Sequence, residues 1–123
     1  MGLYKALKKA LSPALTDIYI FKNEKITSEG EKVIYIGSAK DTMLIIDLIE
    51  YVGSPSIKFT VYSYEPANDK EIEELNSSAF VSAGTGTSIL TSTGVKNSWI
   101  KVKWIGNLDE NNYFVAVVRF VAK

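Results

Sequence analysis

Carboxylates are the most concentrated source of possible chemistry in this sequence, and they gather in one run, Asp69-Lys70-Glu71-Ile72-Glu73-Glu74. Alternating acids can offer oxygen ligands to a hard cation. An EF-hand loop, however, needs a central glycine and a distal glutamate at fixed spacing, and neither is present. Glycoside cleavage would ask for two carboxyls held at a set separation across a sugar cleft, a geometry that sequence does not display. The run therefore reads as a solvated acidic loop. Ser82-Ala83-Gly84-Thr85-Gly86-Thr87-Ser88 has the small residues of a phosphate cradle but lacks the Gly-Lys-Ser/Thr ending and any helical pattern after it, so it reads as a β turn. A third candidate is aromatic. Trp99 shares a strand face with Lys101 and Lys103, and Tyr62 and Tyr64 extend the outward aromatic set. Exposed Trp and Tyr can stack on sugar rings or anchor a protein interface, and the same pattern also fits a Trp packed on lysine stems.

The absences narrow the chemistry further. With no His and no Cys, one chain cannot assemble a Ser-His-Asp triad, a Cys-His pair or the usual zinc site. The expectation is a protein that is not an enzyme and carries no metal and no cofactor. Fourteen basic residues cancel fourteen acidic ones, so no nucleic-acid partner is expected. The balance is segregated along the chain. Met1 to Lys25 carries five lysines against two acids, Asp41 to Asn76 carries eight acids against two lysines, and Lys96 to Lys123 carries five basic residues against two acids. Such segregation favours contacts between unlike surfaces of neighbouring copies, unless strand pairing mixes the charges. No stretch reaches the roughly 18 to 20 apolar residues of a membrane span, and the N-terminus lacks a signal-peptide pattern. A soluble product of a cell's cytoplasm, with no membrane partner, is expected.

The elements that must position these residues are short. Leu3, Leu7, Ala10, Leu11 and Ala14 repeat at three-to-four spacing, with Lys5, Lys8 and Lys9 away from that stripe, which predicts one short helix ended at Pro13. Residues 1–16 form this basic amphipathic arm, and residues 17–123 form one β domain. From Asp17 onward the pattern has period two. Strands are predicted at Ile18–Phe21, Val33–Ile36, Thr42–Val52, Ile57–Tyr62, Ala79–Ser82, Thr87–Thr91, Ser98–Ile105 and Tyr113–Val121. Ile57, Phe59 and Val61 should face inward, as should Leu44, Ile46 and Leu48, Ile100, Val102 and Trp104, and Phe114, Ala116, Val118 and Phe120. About eight short strands with regular turn signals predict an all-β, antiparallel two-sheet sandwich of jelly-roll type. The last strand is apolar on both faces, since Tyr113, Val115 and Val117 back its inward set. Ile45, Ile49 and Tyr51 do the same for the third strand. This surplus has to be covered by the N-terminal helix or by another chain.

The order of these phrases resembles that of the small β-sandwich minor capsid and head-decoration proteins of tailed bacteriophages. Leu44 to Pro66 is similar to their aliphatic strand, Gly-rich turn and following "P-S-L-T-V" phrase, with Ser54-Pro55-Ser56-Ile57-Lys58-Phe59 at its centre. Ser77 to Thr87 is similar to their "S-A-x-I-T-A-x-G-T" phrase, Ser98-Trp99-Ile100-Lys101-Val102 to their "W-R-V" strand, and Tyr113-Phe114-Val115-Ala116-Val117 to their final strand. The likeness spans roughly residues 33 to 121 and is a series of weak motifs. The loop at Asn68–Asn76 is more acidic than the pattern, and the N-terminal helix lies outside it. The resemblance implies a virion protein whose partners are the major capsid protein or other virion subunits, with copies of itself on the lattice. The expected contact residues are Leu3, Leu7 and Leu11, Lys5, Lys8 and Lys9, and Tyr113, Val115 and Val117. The alternative is a carbohydrate-binding sandwich using Trp99, Tyr62 and Tyr64.

Overall fold

A computed structural model describes residues 16–123, and the expected helix over residues 1–12, with Leu3, Leu7, Leu11 and the three lysines, lies outside them. The described chain forms β1 (Thr16–Ile26), β2 (Gly30–Tyr35), β3 (Thr42–Val52), β4 (Ser56–Glu65), a 3-10 turn (Pro66–Asn68), β5 (Lys70–Ser77), β6 (Val81–Ser82), β7 (Gly86–Ser92), β8 (Trp99–Ile105) and β9 (Tyr113–Ala122). One sheet runs β1-β9-β3-β7 and the other β2-β8-β4-β5, with β6 paired to β4, and every pairing is antiparallel. Apart from β6, the strands pair first with last: β1 with β9, β2 with β8, β3 with β7 and β4 with β5. A long hairpin closed at Pro66–Asn68 and rolled up on itself gives this order, which is the jelly roll.

Alternation drives the rolling. Along β9 every second residue is buried, Phe114, Ala116, Val118, Phe120 and Ala122, and each has essentially no exposed surface. Ile57, Phe59 and Val61 of β4, Leu44, Ile46 and Leu48 of β3, and Ile100, Val102 and Trp104 of β8 complete the core between the sheets. All of these except Ala122 were expected inward. Trp104 bridges the layers: its ring meets Phe21 edge-on at 5.0 Å, and its indole N–H donates to the Ser28 carbonyl at 3.0 Å. That bond satisfies the one polar atom the ring buries. A Cβ on Gly30 would stand 2.7 Å from the same ring, so the close approach of β2 requires glycine there. Gly53, at φ +78°, turns the chain from β3 towards β4.

Two expectations need correction. The acidic run Asp69–Glu74 is not a loop, because Lys70–Ser77 is the edge strand β5, paired with β4. Register shifts between Val61 and Tyr62 and between Ser63 and Tyr64 break its alternation, and charge on an edge strand discourages pairing with other chains. The strand expected at Ala79–Ser82 shrinks to the two-residue β6. Charge also mixes in space. Lys101 and Lys103, from the basic C-terminal stretch, meet Glu71 of the acidic middle, and Arg119 meets Asp17.

Candidate functional site

The sandwich turns two sheet faces outward, and they differ in kind. On the β2-β8-β4-β5 sheet, Lys101 projects outward from the middle of β8, as its alternation with Ile100 and Val102 requires. Instead of reaching water it is covered, with only 6% of its surface exposed. Its ammonium lies 2.7 Å from Glu31 on β2, 3.6 Å from Glu71 on β5 and 3.8 Å from Asp69. It also sits 4.5 Å from the centre of the Tyr64 ring, whose hydroxyl donates to Asp69. Lys103 adds a contact to Glu71 at 3.7 Å. The hydrogen bond to Glu31 holds the Lys101 ammonium above the ordinary lysine range against the opposing effect of burial, and Glu71 reinforces it. The bond to Asp69 likewise raises the Tyr64 phenol. This cluster ties β2, β8 and β5 together across the sheet.

The sequence-predicted aromatics part company on this face. Tyr64 is buried beside Lys101 and Tyr62 is half-buried. Trp99 is half-buried too, and its ring leans on that of Tyr35, with centres 5.0 Å apart and planes tilted by 54°. Tyr35 is well exposed and stands directly across from Trp99 in the ladder. Tyr35, Glu31 and the covered state of Lys101 are absent from the sequence reading. The partners of Lys101 are about thirty to seventy residues away along the chain, so no local spacing signals them.

The β1-β9-β3-β7 sheet presents the opposite surface. Its outward rows follow from the register. Asp17, Val121, Met43 and Thr91 form one row, Tyr19, Arg119, Ile45 and Ile89 the next, and Lys22, Val117, Asp47 and Thr87 the third. Val115 lies beyond, between Lys25 and Glu50, and Tyr113 takes the Lys25 ammonium over its ring at 4.9 Å. Ile89 is 56% exposed and Met43 38%. A depression of about 280 Å³ opens between Met43, Thr91 and Val121 at the end of the face nearest Thr16. Among the described residues, the one ion pair across these rows is Arg119 with Asp17, bidentate at 2.6 and 2.8 Å. It lowers the Asp17 carboxyl and raises the Arg119 guanidinium. The surplus apolar set Tyr113, Val115 and Val117 is thus brought onto one surface with Met43, Ile45 and Ile89 from two further strands.

No protein-family model and no curated protein matches the sequence. Among solved structures, the chain is similar to a protein of Bacteroides thetaiotaomicron assigned as an alpha-L-fucosidase, at 11% identity and a TM-score of 0.45. The likeness covers 98% of this chain and 24% of that protein, so the chain spans about a quarter of its length.

Proposed function

We propose that this chain is a non-enzymatic structural protein that works by contact, binding an assembled capsid as a decoration or cement subunit. The side of the sandwich that carries the contact is the β1-β9-β3-β7 sheet together with the N-terminal arm. The observation that supports this reading is the outward surface on which Met43, Ile45, Ile89, Val115, Val117 and Val121 from three adjacent strands are brought together, interrupted by Arg119 and Asp47. Patches of this kind on soluble proteins mark surfaces that are covered in use. A subunit that binds only the assembled lattice stabilises it by its binding free energy. The test is co-purification with intact particles, combined with the thermal stability of particles that lack the protein. Removal of residues 1–12 should abolish particle binding and leave the sandwich folded, and undiminished binding by that truncation counts against the arm.

A second reading, carbohydrate binding, is favoured by the exposed Tyr35 ring against Trp99. Two tilted rings offer a sugar one stacking surface, and Glu31 and Lys103 lie nearby on the same face. The residues of such a platform change accordingly, because Tyr64 is buried beside the lysine cluster and Tyr35 takes its place. Glycan-array binding that disappears in Trp99→Ala would favour this reading over the structural one.

A further inference from the structure

The apolar face and the segment before it are matched in length, position and pattern. β1 starts at Thr16, which pairs with Ala122, and Asp17 opens the outward row Asp17, Val121, Met43, Thr91. Only Pro13, Ala14 and Leu15 separate Thr16 from the helical pattern Gly2–Ser12. Three extended residues reach about 10 Å. Four strands at about 4.8 Å spacing place β7 about 14 Å from β1, and ten helical residues span about 15 Å. A helix of that length crosses the whole sheet. At about 100° per residue, Leu3, Leu7, Ala10 and Leu11 share one side, and Lys5, Lys8 and Lys9 centre on the opposite side.

We infer that residues 2–12 dock in cis as an amphipathic helix across the outward face of the β1-β9-β3-β7 sheet, leucines on Met43, Ile45, Ile89 and Val121, lysines away from it. The occupant is the chain's own arm because the short tether gives it a local concentration of order millimolar at this face, which a second copy reaches only in concentrated solution. Docking turns an apolar surface into one that displays three lysines. On the contact function proposed above, on which this step rests, the partner is then an acidic protein surface.

The chain lacks cysteine, so one introduced thiol reports one position. Ile89→Cys and Met43→Cys lie under the arm, and Tyr35→Cys lies on the other sheet. In the full chain, modification of the first two by a water-soluble maleimide should be at least tenfold slower than in the same chains carrying Leu7→Asp and Leu11→Asp. The Tyr35→Cys thiol should react at the same rate in both backgrounds. Equal rates at Ile89→Cys and Met43→Cys overturn the docking, as does protection of Tyr35→Cys by the intact arm. Protection that grows with protein concentration overturns the cis arrangement in favour of a second copy. Far-UV circular dichroism of each variant confirms that the sandwich is intact. Lys5→Glu, Lys8→Glu and Lys9→Glu together should leave thiol protection unchanged and weaken particle binding at least tenfold. Protection without any particle binding would overturn the contact function and leave the docking standing.

Discussion

The two outward faces solve the same problem in different ways. Each belongs to a sheet whose inner side is fully used by the core, and each carries side chains that water would not choose to surround. On the β2-β8-β4-β5 sheet, a lysine is satisfied in place by Glu31, Glu71, Asp69 and the Tyr64 ring. The Lys101 cluster is complete among the described residues of one chain. On the β1-β9-β3-β7 sheet, Met43, Ile45, Ile89, Val115, Val117 and Val121 share their rows with Lys22, Asp47, Thr87 and the Arg119–Asp17 pair, and those polar groups leave Met43 and Ile89 exposed. Polar groups can be satisfied by a few well-placed partners, whereas apolar area is satisfied only by being covered. The first face is therefore expected to set stability, and the second to set association.

That contrast can be broken at several points. Lys101→Ala should have the largest effect on folding, because it leaves three carboxylates facing one another around a hole. The loss expected is about 2 kcal/mol, below the roughly 3 to 5 kcal/mol of a fully buried pair because Glu31 is half exposed. Urea unfolding measures it. Lys101→Met keeps the packing of the side-chain stem and should cost about 1 kcal/mol less. On the other sheet, Val115→Asp with Val117→Asp should weaken particle binding about tenfold, equivalent to about 1.4 kcal/mol. A larger change in urea midpoint than in binding would reverse the assignment of the two faces.

The pH dependence sharpens the same division. The folded protein holds Lys101 and Tyr64 above their ordinary values of 10.5 and 10.0. A raised value means that the proton is bound more tightly when folded. The stabilisation is thus fully present at neutral pH and is lost as pH rises past about 10 through the folded values. The stability gap between the wild type and Lys101→Met should therefore be constant at neutral pH and close in alkali. A gap that stays unchanged in alkali would contradict the cluster. Asp17 has the opposite sign: its lowered value gives a contribution present above 3.8 and lost as pH falls through the folded value. Asp17→Asn should show the smallest effect of the set, readable as a loss of salt sensitivity in the melting temperature, since the Arg119–Asp17 pair is open to solvent.

Most of the sandwich was legible because its strands are half-buried. Ile57, Phe59 and Val61 alternate with Lys58, Thr60 and Tyr62, and that simple pattern gives both the element and its inward side. β5 was hidden for two reasons. Its carboxylates look like a solvated loop, and the register shifts opposite Tyr62 and Tyr64 remove the period that would have marked a strand. The fate of Lys101 was hidden for a third, since its position on β8 follows from alternation but its cover comes from β2 and β5. Alternation tells which way a side chain points and is silent about what stands above it. The same limit explains the aromatics: Tyr62 and Tyr64 were placed on the outward side, while only the fold brings Tyr35 to Trp99.

The first-with-last pairing also governs how the domain comes into being. β9 lies between β1 and β3 and supplies Phe114, Val118 and Phe120 to the core. During synthesis, then, β1 waits for a neighbour until almost the whole domain has left the ribosome. Pairings across such sequence distances carry a large loop-closure cost and make jelly rolls slow to fold compared with helical domains of equal size. In that interval the edges of β1 and β3 are open, and the two bulges in β1, at Tyr19/Phe21 and Lys22/Glu24, bend the strand away from a flat template for other chains. Straightening either bulge by deleting one residue would be felt in the yield of soluble protein before it was felt in the stability of the finished fold.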